Sequence, residues 1–243
     1  MKRIFILLAL LAGMSAQAQD KKPTPAAGAQ SYIGLTGGVN FPLGSFGKGD
    51  YNDDKSGYAN TGFNIGITGV YYFKHSHFGI GGVASLARYG FKGAQSLADG
   101  YKEAFDIDSS TVYVKGHHQS FNILVGPYYN FAFGSKLGLD IHVLGGVVNA
   151  TLPGFEVFIE DQEGNNFAQE KAKKSAFGLQ GGAALHYYIS KHFNVFVGVD
   201  YTYANPSFDI DNVNRPVNAG RKIETYHQPL TSLQTNVGVA YGF

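Results

Sequence analysis

The stretch Phe193–Ala204, Phe-Asn-Val-Phe-Val-Gly-Val-Asp-Tyr-Thr-Tyr-Ala, decides the fold. Every second residue from Phe193 to Tyr203 has a bulky apolar or aromatic side chain. The residues between them are mostly small or polar, with Phe196 as the exception. Because successive side chains point to opposite faces of a strand, this period of two predicts a β-strand with one bulky and one small face.

Eight segments of this kind predict an all-β fold, an eight-stranded antiparallel up-and-down β-barrel. Short polar turns and long connections alternate between the segments, and doubled tyrosines precede each short turn, which indicates three equivalent hairpins. Both termini of the chain then lie on the short-turn side, which is the periplasmic side in outer-membrane barrels. The expected strands cover about 31–41, 61–73, 78–91, 117–133, 137–149, 175–189, 193–204 and 229–243, with long loops near 42–60, 92–116, 150–174 and 205–228.

The chemistry of the two faces favours a transmembrane barrel over a soluble one. A soluble barrel such as a lipocalin has its bulky face inside and charged side chains outside, whereas the second face here is mostly Gly, Ala, Asn, Ser and Thr. Small residues suit the crowded interior of eight strands. Only 15% of the residues are charged, against an average of about 25%. We therefore expect the bulky face to contact lipid, and aromatic residues near the turns to form an interfacial belt.

The first 18 residues have the three parts of a secretory signal peptide. A basic start and the apolar run 4–11 are followed by Ala16-Gln17-Ala18, so we expect cleavage after Ala18, with Ala16 and Ala18 as the recognised small residues. A transmembrane anchor is the alternative. The apolar run has about half of the roughly 20 residues that a membrane helix needs, which favours the signal peptide.

The remaining sequence predicts a flexible periplasmic leader at 19–30 and the outer-membrane barrel at 31–243. The absence of cysteine excludes a lipoprotein acylation site, disulfides and Cys-based metal sites. A formal net charge of +1 favours no nucleic-acid partner. We expect export through the inner membrane and a location in the outer membrane, in contact with its lipid and lipopolysaccharide.

Several polar side chains fall on the small-residue face, where ionisable groups can pair away from lipid. One interpretation is a path for protons or solutes. The narrow interior of eight strands favours the other, a hydrogen-bonded network that fills the lumen and fixes the strand register. The expected members are Asn122, Asp140, His142, Gln180, His186 and Asp200.

The last residues, Asn236-Val237-Gly238-Val239-Ala240-Tyr241-Gly242-Phe243, resemble the C-terminal signal of outer-membrane barrels. Together with the strand count, they make the chain similar to the small OmpA/OmpX-like barrels and to the PorT-like outer membrane protein beta-barrel domain, over about residues 31–243. The resemblance implies that the barrel-assembly machinery reads the final strand, with Gly238, Tyr241 and Phe243 as its principal contacts. PorT-like relatives include a component of a secretion apparatus, a role that no residue here identifies.

Two functions remain open. The first is a structural or interaction barrel with a plugged lumen, whose four extracellular loops meet an extracellular ligand or a membrane-complex partner; recognition concentrates in loops on a rigid frame. The second is a porin-like channel for small solutes, against which the low strand count argues. An outer-membrane enzyme would need a His/Ser pair near the outer rim. His117, His118 and Ser120 fit this loosely, without an orienting carboxylate, so we expect no enzyme and no catalytic, cofactor-binding or metal site.

Overall fold

The computed structural model describes residues 29–159, 167–211 and 223–243. Eight of its strands form a closed antiparallel barrel, in which each strand pairs with the next barrel strand along the chain and the last pairs with the first. The predicted eight-stranded up-and-down barrel is confirmed. With strands numbered in chain order, the barrel consists of β1 (Tyr32–Pro42), β2 (Ala59–Tyr72), β3 (Phe78–Phe91), β5 (His118–Phe133), β6 (Leu137–Leu152), β9 (Ala172–Tyr188), β10 (Phe193–Ala204) and β13 (Leu230–Gly242).

The barrel closes through a continuous ladder between β1 and β13. The register runs from Tyr32 opposite Gly242 to Pro42 opposite Ser232. Since every barrel strand has a neighbour on each side, its backbone N–H and C=O groups find partners within the sheet. A strand that crosses lipid requires this, because hydrocarbon offers no hydrogen bonds.

The two faces of the strands differ as the alternation predicts. On β10, Phe193 and Val197 are 58% and 55% exposed, whereas Asn194 and Thr202 are 2% and 6% exposed. Apolar side chains cover the outside of the barrel and small or polar ones line the inside. This arrangement is the reverse of a water-soluble barrel, so the outer surface is the lipid-facing band.

The long connections contain regular structure that the sequence analysis assigned to loops. The strand positions were predicted within a few residues, but the helix and the extra strands outside the barrel were not. These additional elements are a 3-10 helix (Gly44–Gly47), helix α1 (Ala94–Phe105), a three-stranded sheet of β4 (Ser110–Lys115), β7 (Gly154–Ile159) and β8 (Phe167–Gln169), and a hairpin of β11 (Ser207–Asp211) and β12 (Ile223–His227).

The second and third long loops fold together into one unit outside the barrel. β4 of the second loop pairs with β7 of the third, with Ser110 opposite Ile159. The buried residues Leu97 and Tyr101 of α1 share a small hydrophobic core with Val157 of β7. Within the described part of the chain, no helix has the length and apolar character needed to cross a membrane.

A charge on the outer face of the barrel should destabilise it. Val197 faces outward near the middle of β10, so Val197→Arg is expected to lower the free energy of unfolding by about 2–4 kcal/mol. Thr111→Arg, on the exposed face of β4, should change it by less than about 0.5 kcal/mol. Urea unfolding of the protein in lipid vesicles measures both values, and equal effects would contradict a lipid-facing β10.

Candidate functional site: a filled lumen beneath a vestibule

Asp140 is the centre of a buried cluster in the half of the barrel near the short turns. The Tyr32 hydroxyl donates to its Oδ2 at 2.9 Å, and the Asn130 amide donates to its Oδ1 at 2.7 Å. His186 Nε2 lies 3.2 Å from Oδ2, and His186 Nδ1 lies 2.9 Å from Asn194 Oδ1. The carboxylate thus has several donors around it, as a buried charge requires.

His142 and Asp200 form a second cluster nearer the middle of the lumen. His142 Nε2 lies 2.9 Å from Asp200 Oδ1, although the approach does not have the geometry of a hydrogen bond. The other carboxylate oxygen of Asp200 accepts a hydrogen bond of 2.6 Å from the Asn236 amide. The His142 ring stacks on Tyr128, with ring centroids 4.8 Å apart.

Asn122 and Gln180 also lie inside the barrel, outside both clusters. The Asn122 amide donates to Ser85 Oγ at 3.1 Å, and Gln180, which is 4% exposed, lines a central cavity with His142 and Asp200. The six residues expected in the lumen are therefore inside the barrel, but in separate groups rather than in one network.

The central cavity is small. Its volume of about 40 Å³ leaves room for about three water molecules, and the aromatic rings of Tyr32, Tyr128 and Phe196 bound it. Such an interior can hold the strands in register and stabilise the barrel. It offers no space for a hydrated solute.

Phe46 of the 3-10 helix is buried at the end of the barrel that carries the long loops. Its side chain is 1% exposed and meets the Tyr89 and His118 rings edge to face, at centroid distances of 5.1 and 5.4 Å. Backbone hydrogen bonds hold this loop, from Leu43 N to Thr231 O at 2.8 Å and from Gly57 N to Ser45 O at 2.7 Å. Phe46 was not predicted as a buried residue, because it is the lone bulky residue of the segment Gly-Ser-Phe-Gly.

The four long loops line a cavity of about 380 Å³, here called the vestibule. Each loop contributes to its wall, and the wall has many aromatic rings as well as carboxylates. Pockets of this size and composition bind small molecules in other proteins. The aromatic residues are Tyr51, Tyr58, Phe91, Tyr101, Phe155 and Tyr226, and the carboxylates are Asp53, Asp54 and Glu224.

Tyr58 lies in the wall of the vestibule with a strained backbone. Its φ of 54° is in the left-handed region, which bulky residues rarely adopt. Backbone hydrogen bonds fix it, since Tyr58 N donates to Lys48 O at 2.8 Å and Lys92 N donates to Tyr58 O at 2.7 Å. The ring stacks on Phe91 at 5.6 Å. Strain of this kind is typical of functional sites.

Three carboxylates, those of Asp53, Asp54 and Glu224, lie in the wall of the vestibule. Burial, followed by the charges of Asp53 and Asp54, raises the pKa of Tyr226 to about 12. The protonated Tyr226 hydroxyl donates to Gln228 Oε1 at 2.7 Å. Lys48, at 2.7 Å from the Asp53 carboxylate, lowers the pKa of Asp53.

Sequence reasoning missed the vestibule, although one pattern pointed to it. Tyr51, Tyr58, Tyr101 and Tyr226 are large aromatic residues in segments that were predicted to be polar loops. Aromatic side chains in polar loops are typical of binding surfaces.

The residues of the enzyme alternative do not form a catalytic group. His117 is exposed, whereas His118 and Ser120 point into the barrel and are 3% and 6% exposed. The hydrogen bond of the His118 ring is to the backbone of Gly57 and not to a serine hydroxyl. The Ser–His contact that activates a nucleophile is thus not formed here.

Two of the predicted C-terminal contacts face outward, and the third faces inward. Tyr241 and Phe243 are 45% and 66% exposed on the periplasmic end of the barrel. Gly238 packs against the Phe196 ring, since a Cβ at Gly238 would lie 2.3 Å from Phe196 Cζ and 2.7 Å from Leu35 O. The packing inside the lumen therefore requires glycine at this position.

The predicted signal peptide at 1–18, with Ala16 and Ala18, lies outside the described residues, as does most of the predicted leader at 19–30. Of the leader, Gln30 lies at the periplasmic end, where its amide donates to Lys191 O at 2.5 Å.

A closed barrel with an apolar outside and a filled interior is a small membrane β-barrel. The chain belongs to the outer membrane protein beta-barrel domain family, whose model matches residues 6–243. The resemblance stated from the sequence is thereby confirmed. No curated protein matches the sequence.

The chain is similar to solved structures of outer-membrane proteins. The outer membrane protein OprG from Pseudomonas aeruginosa is 16% identical over 89% of this chain and 98% of its own, with a TM-score of 0.53. Neisserial surface protein A is 13% identical over 88% and 98%, with a TM-score of 0.46. The outer membrane protease OmpT from Escherichia coli is 11% identical over 92% and 99%, with a TM-score of 0.44. At 16% identity the likeness to OprG shows the fold alone.

Loss of the Asp140 carboxylate should destabilise the barrel. Asp140→Ala leaves the Tyr32 and Asn130 donors and the His186 ring without their buried partner, so the free energy of unfolding should fall by about 3 kcal/mol. Glu103→Ala, on the exposed face of α1, is the control and should change it by less than about 0.5 kcal/mol. An unchanged urea midpoint in Asp140→Ala would show that the cluster does not stabilise the barrel.

Proposed function

We propose that this chain is an outer-membrane recognition barrel, which binds an extracellular ligand or a membrane-complex partner through its four loops and does not conduct solutes. One contrast carries the proposal. The central cavity of the lumen has about 40 Å³, whereas the vestibule among the long loops has about 380 Å³, and the Phe46 ring is buried against Tyr89 and His118.

The folded loops support a recognition role. The hydrophobic core shared by α1 and β7 and the pairing of β4 with β7 give the vestibule a preformed wall. A preformed site loses less conformational entropy on binding than a flexible loop does. A porin-like channel would instead need a lumen wide enough for water, as in barrels of 16 or more strands.

We also propose that the protein is not an enzyme. Ser56 and His118 both line the vestibule, which makes them the natural pair to consider. Ser56 Oγ accepts a hydrogen bond of 3.1 Å from Asp50 N, and the His118 ring nitrogens have no hydrogen bond to a described serine. This arrangement lacks the base contact that an activated serine requires.

We further propose the route by which the barrel reaches the membrane. The sequence at 1–18 directs export with cleavage after Ala18, and the barrel-assembly machinery then reads Gly238, Tyr241 and Phe243. The outward position of Tyr241 and Phe243 supports this role, because an assembly factor has access to them. Lipopolysaccharide would surround the extracellular rim.

The wild-type protein should give no discrete conductance steps in planar lipid bilayers. The double variant Tyr128→Ala with Phe196→Ala enlarges the central cavity and is the matched control, for which ion leakage should increase. A shift in mobility on heating in SDS gels verifies that both proteins are folded barrels. Discrete steps from the wild type that Asp140→Asn alters would contradict the proposal and support a solute channel.

Phe243→Ala should impair assembly in cells without impairing the stability of the barrel. The Phe243 side chain is 66% exposed, and the backbone bond from Phe243 N to Ser31 O at 3.0 Å remains. We expect several-fold less heat-modifiable protein in the outer-membrane fraction, with unchanged refolding into detergent.

Phe73→Ala, a belt residue that is 51% exposed, is the control and should assemble normally. Equal loss of assembly in the two variants would show that the machinery does not read Phe243 specifically.

A further inference from the structure

A cleft at the short-turn end of the barrel contains two lysines. This cleft, here called the rim cleft, has a volume of about 540 Å³. Lys136, in the turn from β5 to β6, and Lys191, in the turn from β9 to β10, both line it, as do Ser135 and Ser190. None of the described residues in its wall is Asp or Glu. Ammonium groups and hydroxyls are donors that can bind a phosphate group.

The lysines of the rim cleft have no acidic partner among the described residues. Neither Lys136 nor Lys191 forms an ion pair with any of them. Asp140, the acidic side chain in this half of the barrel, is buried and has its own donors. With Lys74 in the first short turn, three ammonium groups outnumber the terminal carboxylate of Phe243 at this end of the described chain. This end of the barrel therefore attracts anions.

An apolar recess lies on the outer wall of the barrel, here called the outer groove. It has a volume of about 560 Å³ and is lined by residues of β1, β6, β9, β10 and β13. Leu185 and Val195 form its floor and are 38% and 37% exposed, whereas Val239, which lies opposite Val195 in the ladder, is 56% exposed. An empty recess loses van der Waals contacts. A hydrocarbon chain lying in the groove would restore them.

The rim cleft and the outer groove meet at Leu137. This residue lines both of them and directly follows Lys136 in the sequence. Tyr187 and Phe193 of the outward aromatic belt are close to Leu137 and Lys191 in the ladder and in the chain, and belts of this kind lie at the level of the lipid headgroups. The lysines are therefore placed where the phosphate groups of a bilayer are found.

We infer that the rim cleft and the outer groove together bind one anionic phospholipid. Lys136 and Lys191 bind its headgroup phosphate, and an acyl chain lies along the floor formed by Leu185 and Val195. Short turns mark the periplasmic end of outer-membrane barrels, so the lipid belongs to the periplasmic leaflet. This site is separate from the vestibule, and the inference goes beyond the proposed recognition function without depending on it.

The preference for an anionic headgroup can be measured by native mass spectrometry of the folded protein in detergent. From an equimolar mixture of phosphatidylglycerol and phosphatidylcholine with identical acyl chains, the wild type should retain one phosphatidylglycerol molecule, with a preference of about ten-fold. The ammonium group of phosphatidylcholine opposes the two lysines, and phosphatidylglycerol has no such group. Equal retention of the two lipids overturns the inference.

Paired lysine substitutions locate the headgroup. Lys136→Gln with Lys191→Gln should reduce the preference for phosphatidylglycerol to within about two-fold. The matched control is Lys171→Gln with Lys173→Gln, two exposed lysines at the long-loop end of β9, and it should keep the preference of the wild type. An equal loss in the two pairs would reveal a general attraction of charges and no site in the rim cleft.

A substitution in the floor tests the position of the acyl chain. Val195→Trp fills the outer groove and should lower retention of phosphatidylglycerol several-fold, whereas Val143→Trp, on the outward face of β6 and outside the groove, should not. The heat-dependent mobility shift in SDS gels verifies that each variant is a folded barrel. Unchanged retention in Val195→Trp overturns the role of the groove.

Two competitors separate a phospholipid from other anions. Glycerol 3-phosphate at millimolar concentration has no acyl chain and should leave phosphatidylglycerol bound. Displacement by glycerol 3-phosphate would reduce the site to a phosphate site without a lipid chain and overturn the inference. Binding of isolated peptidoglycan that requires Lys136 and Lys191, without any preference among lipids, would overturn it in favour of a cell-wall partner.

Discussion

Closure of the backbone ladder is the constraint on which the whole structure depends. Hydrocarbon offers no partners to a free N–H or C=O group, so β1 must meet β13 over its full length, from Tyr32 opposite Gly242 to Pro42 opposite Ser232. Eight strands closed in this way leave an interior that side chains can fill. Packing in that interior then determines which residues are allowed, as at Gly238, where the Phe196 ring occupies the space of a Cβ.

The same closure separates the chemistry of the two sides of the barrel wall. Outward residues such as Val197 need only be apolar. The polar groups of inward residues must form hydrogen bonds with one another. Asp140 and His186 meet across β6 and β9, and Asp200 meets Asn236 across β10 and β13. With the lumen occupied by these contacts, the recognition that we propose falls to the long loops, which are free of the demands of lipid.

Most of the barrel could be predicted from the sequence, and most of the site could not. Strands such as Phe193–Ala204 can be recognised by the alternation of bulky and small residues. The same alternation places Asp140 and Asp200 inside the barrel. The pairing of β4 with β7 joins segments distant in the chain, and no local pattern reports it. The contact of Phe46 with His118 depends on how the first loop folds over the mouth, which composition does not specify.

The shared sheet of the second and third loops restricts how the surface of this protein can evolve. In many barrels each external loop can lengthen or shorten alone. Here an insertion in β4 would disturb the ladder with β7 as well as the contact between α1 and the sheet. Variation in loop length therefore has to be correlated between two loops or confined to the connections between their strands. A foreign epitope displayed on this protein would be best tolerated in those connections.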